Sequence, residues 1–209
     1  RILVWISYRT INKLSFKLSD KIIAITPWEI PNIQKNGEKK EKIVVIPNGV
    51  DKILFRKIKQ NNFKKELNIK GQVVLFFGRL NPTKGPDKFV LAAKEILKEN
   101  KNINFLIIGP DEGMLDKVKE LSKSENKILI LPPIKEKEKI AEMYQAADVY
   151  LMPSFREGLP LTLFEALASG LPIIASPVNG IPFEISEPEN GFFIKYGDIQ
   201  GLKEKTLFI

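Results

Sequence analysis

Three groups of residues have types and spacing that could do chemistry. Two glutamates stand eight residues apart, Glu157 and Glu165, around the start of a helix-like stretch. That stretch, Leu161–Ser169, follows an apolar run (Val149–Met152) and the loop Pro153-Ser154-Phe155-Arg156-Glu157-Gly158-Leu159-Pro160. Pro160 at its entrance and Gly170 after its end are the punctuation a helix favours at those ends. The backbone N–H groups of Gly158, Leu159, Leu161 and Thr162 should gather at the helix N-terminus. Those groups lack intrahelical acceptors and lie at the positive end of the helix dipole, so they make an anion site. A carboxylate can accept hydrogen bonds from sugar hydroxyls, and two along one edge could hold two sugars. A glutamate at a helix entrance is favourable without any ligand, so these features alone support an anion site and no more.

A second group follows the apolar run Val73–Gly78. Arg79 and Lys84 come next, in the loop Leu80-Asn81-Pro82-Thr83 that leads to a helix. Arginine offers a planar fork of donors and lysine a mobile point charge, a combination suited to a diphosphate. Both could equally solvate a surface loop. A third junction, Ile173–Ser176 into Pro177-Val178-Asn179-Gly180, reads only as a strand followed by a loop.

The elements that must position these groups alternate along the chain. Candidate strands are Ile22–Thr26, Ile43–Ile46, Val73–Gly78, Phe105–Gly109, Ile128–Leu131, Val149–Met152, Ile173–Ser176 and Phe192–Ile194, with Arg1–Tyr8 a further apolar, β-branched segment. Most are unbroken apolar runs, as strands covered on both faces require. Helix-like stretches separate them: Pro27–Asn36, Asp87–Glu99, Gly113–Lys123, Glu136–Ala146 and Leu161–Ser169, with a last one over Asp198–Ile209. In Asp87–Glu99 the residues Phe89, Ala92, Ala93, Ile96 and Leu97 share one helical face. The fold class is therefore α/β, a Rossmann-like parallel sheet flanked by helices. Ligands in such sheets bind at the carboxyl ends of the strands, where all three groups lie. Thr26-Pro27-Trp28-Glu29 reads as a capping box, Asp87 as a helix cap, and Pro47-Asn48-Gly49 as a turn and a joint.

Composition narrows the chemistry. The 209 residues include no cysteine and no histidine. Disulfides, thiolate metal sites and histidine bases are thereby excluded from this stretch. Any base must be a carboxylate, a group of the substrate, or a residue outside it. Thirty-three Lys and Arg against 25 Asp and Glu give +8. The lysines are interleaved with glutamates, the pattern of solvated helix faces, and no aromatic-interleaved basic stripe points to nucleic acid. No run has the apolar length of a membrane span, and a cytoplasmic setting is expected.

The order of segments is similar to that of GT-B glycosyltransferases, the retaining family 4 or group 1 enzymes. The matching stretches are Val44-Val45-Ile46-Pro47-Asn48-Gly49-Val50-Asp51; Phe77-Gly78-Arg79-Leu80 with Lys84-Gly85; Leu106-Ile107-Ile108-Gly109; Ala146-Ala147-Asp148-Val149; Pro153 to Pro160; Glu165 to Pro172; and Asn190-Gly191 with Gly197-Asp198. The resemblance implies that residues 1–49 are the end of an N-terminal acceptor domain and its joint, the rest of that domain being absent. Residues 50–209 would be the C-terminal, donor-binding domain. Arg79 and Lys84 would hold the donor diphosphate and stabilise it as it leaves. Glu157 would contact the donor hexose, while Gly78, Gly158, Leu159 and Leu161 would line sugar and phosphate. Thr162 would add a hydroxyl to the phosphate, Glu165 would bind the ribose, and residues 131–134 would flank the base. Two departures stand out: Pro132-Pro133 where the family often has glycine, and Phe183 inserted before Glu184. The implied activity is hexosyl transfer from a nucleotide sugar to a sugar, lipid-linked glycan or other hydroxyl, with retention. The implied cofactor is none, and with no Asp-x-Asp pair no metal is expected. The implied setting is cytoplasmic, peripheral to the inner face of the membrane. A non-catalytic sugar-nucleotide-binding module of the same fold is the alternative. A glycosidase using the two glutamates as acid and nucleophile is disfavoured, because both lie beside an anion-binding helix start. A dinucleotide oxidoreductase is disfavoured too, because no Gly-x-Gly-x-x-Gly follows an early strand.

Overall fold

A computed structural model describes residues 10–11, 13–56 and 62–209, so the apolar segment Arg1–Tyr8, which reads as a buried strand or the approach to one, lies outside the described residues. The chain divides into two units between Asn48 and Gly49.

In the first unit, β1 (Ile22–Ala24) and β2 (Ile43–Val45) pair in parallel, with Ile22 opposite Ile43. The helix expected over Pro27–Asn36 is split into a 3-10 turn, Pro27–Glu29, and α1 (Ile30–Lys35). Pro31 explains the split: it has no N–H to return to Pro27, so the first turn closes through Ile30 N instead. The capping box is altered as well. Thr26 Oγ1 accepts from Trp28 N at 3.5 Å, but Glu29 takes the N–H of Ile25 at 2.7 Å rather than that of Thr26. Ile22, Ala24 and Ile33 form a small core with Phe16 and Ile43 against it. Residues 46–50 do not turn. Ile46 N still donates to Ala24 O at 2.9 Å, and a residue before proline favours extended backbone, so the chain runs on past β2.

The second unit is a six-stranded sheet in which every pairing is parallel. Its strands are β3 (Gln72–Phe77), β4 (Ile103–Ile108), β5 (Ile128–Leu131), β6 (Val149–Met152), β7 (Ile173–Ala175) and β8 (Gly191–Phe193). Seven helices accompany them among the described residues: α2 (Lys52–Phe55), α3 (Phe63–Glu66), α4 (Pro86–Glu99), α5 (Leu115–Ser122), α6 (Lys137–Ala146), α7 (Leu161–Ala168) and α8 (Ile199–Phe208). All six residues of β4 are buried, as its unbroken apolar run implies. Against the sheet α4 buries Phe89, Val90, Ala92, Ala93, Ile96 and Leu97, and the Phe89 ring meets those of Phe76 and Phe105. Each large side chain so buried contributes roughly 1.5–3 kcal/mol. The four-residue helices α2 and α3 are too short to show a period, and each is anchored by one buried ring, Phe55 and Phe63.

Asp87 does not cap α4. Gly85, in left-handed backbone at φ 68°, takes the cap position with Pro86 first in the helix. Asp87 lies within the first turn, past the point from which it could reach the orphan N–H groups. It pairs instead with Lys117 at 2.8 Å and Lys88 at 3.4 Å.

The sheet order is β5-β4-β3-β6-β7-β8. The chain steps outward from β3 through β4 to β5, returns to place β6 on the other side of β3, and steps outward again. Strand order therefore reverses between β3 and β6. A crevice opens at the carboxyl ends of such a pair, where open α/β sheets bind ligands.

Candidate functional site

The loops leaving β3 and β6 both enter that crevice, and they are built against each other. In the first loop, Asn81 Oδ1 accepts from Thr83 N at 3.0 Å, Thr83 Oγ1 at 2.7 Å and Lys84 N at 3.2 Å. This side-chain turn folds the loop before α4 begins. Thr83 O then accepts from Phe155 N at 2.7 Å and Arg156 N at 3.3 Å, joining the loops. Gly85 permits the approach: a Cβ there would stand 2.1 Å from Pro153 O, and its left-handed φ already disfavours other residues.

Lys84 and Glu157 meet where the loops close. Lys84 Nζ donates to Glu157 Oε2 at 2.5 Å and Ser154 Oγ to Glu157 Oε1 at 2.7 Å. The carboxylate is almost wholly buried, at 4% exposure, and the lysine side chain is at 17%. A buried charge needs such partners. The loop after β7 adds a clamp. Asn179, itself left-handed at φ 51°, donates through Nδ2 to Glu157 O, and Gly180 N donates to Gly158 O at 3.3 Å. Asn179 had no role in the sequence reading. Its signal was the Asn-Gly pair, since asparagine tolerates left-handed backbone.

A cavity of about 140 Å³ opens here, lined by Gly78, Arg79, Lys84, Ser154, Glu157 and Thr162 among others. Small-molecule pockets usually run to roughly 300–1,000 Å³, so this one has room for one group of a ligand of that size. Arg79 stands at its rim, half exposed, and its guanidinium holds Glu112 Oε1 at 3.1 Å and Oε2 at 3.2 Å. Asn81 Nδ2 also donates to Glu112, at 2.7 Å, and together with Arg79 it holds that carboxyl below its usual range. Arg79 and Lys84 thus share a cavity, but each has a carboxylate partner. Glu112, which the sequence reading missed, comes from the loop after β4.

The two expected glutamates do not lie along one edge. Glu157 precedes α7 in the loop, while Glu165 projects from the middle of the helix. Glu165 lines a second cavity of about 220 Å³ with Val50, Asp51, Lys137, Ile140 and Leu161. Its Oε2 accepts from Tyr144 Oη at 3.0 Å. Burial pushes the Glu165 carboxyl up, and the Tyr144 hydroxyl draws it part of the way back. Residues 131–134 line neither cavity.

Helix α7 starts at Leu161 with Pro160 as its cap residue, and Pro160 provides no side-chain acceptor. Gly170, at φ 75°, ends the helix as its sequence position implies. Thr162 in the first turn faces the Glu157 cavity, and Leu161, half exposed, faces the Glu165 cavity. Gly158 is exposed and Leu159 buried. Among the described residues no group of three or more His, Cys, Asp or Glu is placed to hold a metal. No helix among them is long and apolar enough to cross a membrane.

Residues 57–209 match the model of the family described as glycosyl transferases group 1, and the chain belongs to that family. D-inositol 3-phosphate glycosyltransferase of Segniliparus rotundus is 30% identical over 186 residues, covering 84% of this chain and 41% of that protein. The UDP-Gal:alpha-D-GlcNAc-diphosphoundecaprenol alpha-1,3-galactosyltransferase of Escherichia coli is 36% identical over 164 residues, covering 76% of this chain and 42% of that one. Anabaena HepE, crystallised in complex with UDP, shares the fold at a TM-score of 0.83 and 20% identity, over 94% of this chain and 56% of its own. The parallel α/β architecture of GT-B glycosyltransferases is therefore the architecture of this chain. The chain spans about two-fifths of the length of the curated relatives it matches.

Proposed function

We propose that this chain is the nucleotide-sugar-binding part of a retaining hexosyltransferase, with the β3 and β6 loops holding the donor's diphosphate and hexose. One observation carries the reading: Lys84, Ser154 and Glu157 converge where strand order reverses, beside Arg79 and the start of α7. Lysine is a mobile point charge, and Lys84 can swing from Glu157 to a diphosphate oxygen. Glu157 then offers hydrogen-bond acceptors to hexose hydroxyls while Ser154 still orients it. Arg79 at the rim and the dipole of α7 add positive potential where charge develops on the departing diphosphate. Positioning and electrostatics of this kind account for the catalysis. The bond from the sugar's anomeric carbon to the diphosphate breaks, with its electrons passing to the diphosphate oxygen. The acceptor hydroxyl bonds to that carbon on the same face and gives its proton to the departing oxygen. A substrate group is a natural base, since these 209 residues have no histidine. UDP in the HepE crystal and UDP-Gal in the name of the Escherichia coli relative favour a uridine diphosphate sugar as donor. The lipid-linked substrate in that same name favours a lipid-linked acceptor. In this reading the acceptor lies against protein outside these residues, so the 209-residue chain binds a donor and transfers no sugar.

Calorimetric titration of this chain with UDP-, GDP- and ADP-sugars and with NAD tests the reading. One class of nucleotide sugar binds, its free diphosphate retains most of the affinity, and Arg79→Ala weakens both about tenfold or more, the cost of a charge-assisted hydrogen bond. Preferential binding of NAD, or binding of none of them, overturns it.

A further inference from the structure

We propose that Tyr144 is a positioning residue for Glu165: its hydroxyl fixes the carboxylate in the orientation from which it accepts the ribose hydroxyls of the bound nucleotide. This rests on the reading of Glu165 as the ribose contact.

Tyr144 lies on α6, facing α7, and is fully buried. Its ring is pinned edge-on by three others, Phe55 at 5.9 Å, Phe77 at 5.7 Å and Tyr150 at 5.8 Å between centroids. A phenylalanine would fill that aromatic nest as well. What tyrosine adds is one hydroxyl, and a buried hydroxyl needs a partner. Tyr144 Oη donates to Glu165 Oε2 at 3.0 Å and stands 3.3 Å from Thr162 O, one turn earlier on the same helix. The ring is packed against three others, so the carboxylate meets a well-anchored donor. Burial keeps Tyr144 protonated by pushing its own pKa well up, so the donor persists at any ordinary pH.

The rest of Glu165 suits a ligand contact. Among the described residues, Tyr144 is the one hydrogen-bond donor on its carboxylate, and no cation pairs with it. One oxygen is therefore fixed and the other has no donor among the described residues, at the wall of a cavity of about 220 Å³. Glu157 is the contrast, with both oxygens held by side chains. The lock also reaches the neighbouring cavity. Tyr150, stacked edge-on against Tyr144, donates to Phe77 O at 3.0 Å and lines the Glu157 cavity with Thr162. Two phenols in contact thus join α6 to α7 through Glu165 and β6 to the end of β3 through Phe77 O.

The test titrates the 209-residue chain and its Tyr144→Phe, Glu165→Gln and doubly substituted forms. Each receives a ribonucleoside diphosphate and its 2′,3′-dideoxy counterpart, in uridine, guanosine and adenosine pairs. The pair whose ribonucleotide binds tightest to the unsubstituted chain is read. Tyr144→Phe should weaken the ribonucleotide about fivefold, the worth of one hydrogen bond, and leave the dideoxy compound unchanged. The double substitution should bind no worse than Glu165→Gln. A loss that Tyr144→Phe imposes equally on both compounds marks a purely structural tyrosine and overturns the proposal, as does no loss on either. If Glu165→Gln weakens the ribonucleotide while Tyr144→Phe does not, the positioning role fails and the ribose contact stands. If Glu165→Gln changes nothing, the ribose contact itself fails and takes this proposal with it. The dideoxy compound reports folding of every variant, because its binding needs the diphosphate site intact.

Discussion

Removing Lys84 should destabilise this chain far more than removing an ordinary surface lysine. Its ammonium stands 2.5 Å from Glu157 Oε2, with the carboxylate side chain at 4% exposure and the lysine at 17%. Lys84→Met keeps the aliphatic length and deletes the charge, leaving Glu157 buried with the Ser154 hydroxyl as its remaining side-chain donor. Breaking one side of a buried pair costs about 3–5 kcal/mol, because a charge remains desolvated without compensation. With Ser154 still in place the lower end applies, about 3 kcal/mol. For a protein of this size each kcal/mol moves the melting temperature by about 2–4 °C, so the expected drop is about 6–12 °C. The decisive comparison is the double substitution Lys84→Met with Glu157→Gln. It removes both charges, and replacing a buried pair by neutral groups is often close to neutral. Urea unfolding of the four forms gives the coupling directly. The double form should recover about 2 kcal/mol or more of the single loss. Two results would refute the reasoning: a single loss below about 1 kcal/mol, which is the behaviour of a solvated surface pair, or strictly additive losses.

Two further perturbations have defined outcomes. Gly85→Ala should cost about 2 kcal/mol or more in urea unfolding, since left-handed backbone alone costs an L-residue roughly 1–2 kcal/mol. The added Cβ would also have to clear Pro153 O from 2.1 Å, so nucleotide binding should fall with stability; an unchanged midpoint would show that the loops are not built around that contact. Asp87 titrates below its ordinary 3.8, because Lys117 and Lys88 together outweigh the upward push of burial. Its stabilising contribution is therefore complete above about pH 4 and lost as pH falls through the lowered folded value. Stability-against-pH curves of the unsubstituted chain and Asp87→Asn should converge at the acid end and separate as pH rises through that window. Parallel curves would argue that the pair is solvated.

Much of the fold is legible in the sequence because its signals are local. All eight candidate strands form, since buried parallel strands announce themselves as unbroken apolar runs such as Phe105–Gly109. The helix ends are legible where a residue type is needed at one place, as at Gly170. What the sequence hides is set by partners distant along the chain. Asp87 has the right type and place for a cap, yet Lys117 claims it. Pro31 divides a helix whose apolar spacing looks continuous. Arg79 and Glu112 are 33 residues apart and meet because β3 and β4 are neighbours. The order of strands has no local signature either, and it alone explains why the loops after β3 and β6 share a crevice.

The two glutamates have different partners, and the difference matches the separate roles proposed for them. A carboxylate that waits beside a cation has to exchange that cation for a ligand, so its site binds whatever satisfies both charges at once. In the proposed function a diphosphate linked to a hydroxyl-rich ring does so, the anion meeting Lys84 and the hydroxyls meeting Glu157. A carboxylate held by a neutral phenol has no charge to hand over. It stays an acceptor with one oxygen fixed, which suits a fixed pair of hydroxyls. Giving Glu165 a lysine partner would make the proposed ribose contact compete with a cation. Giving Glu157 only a phenol would leave the proposed diphosphate site without its counter-charge. The spacing of Glu157 and Glu165 in the sequence says nothing of this division; the loop places one against the β3 loop and the helix turns the other toward α6.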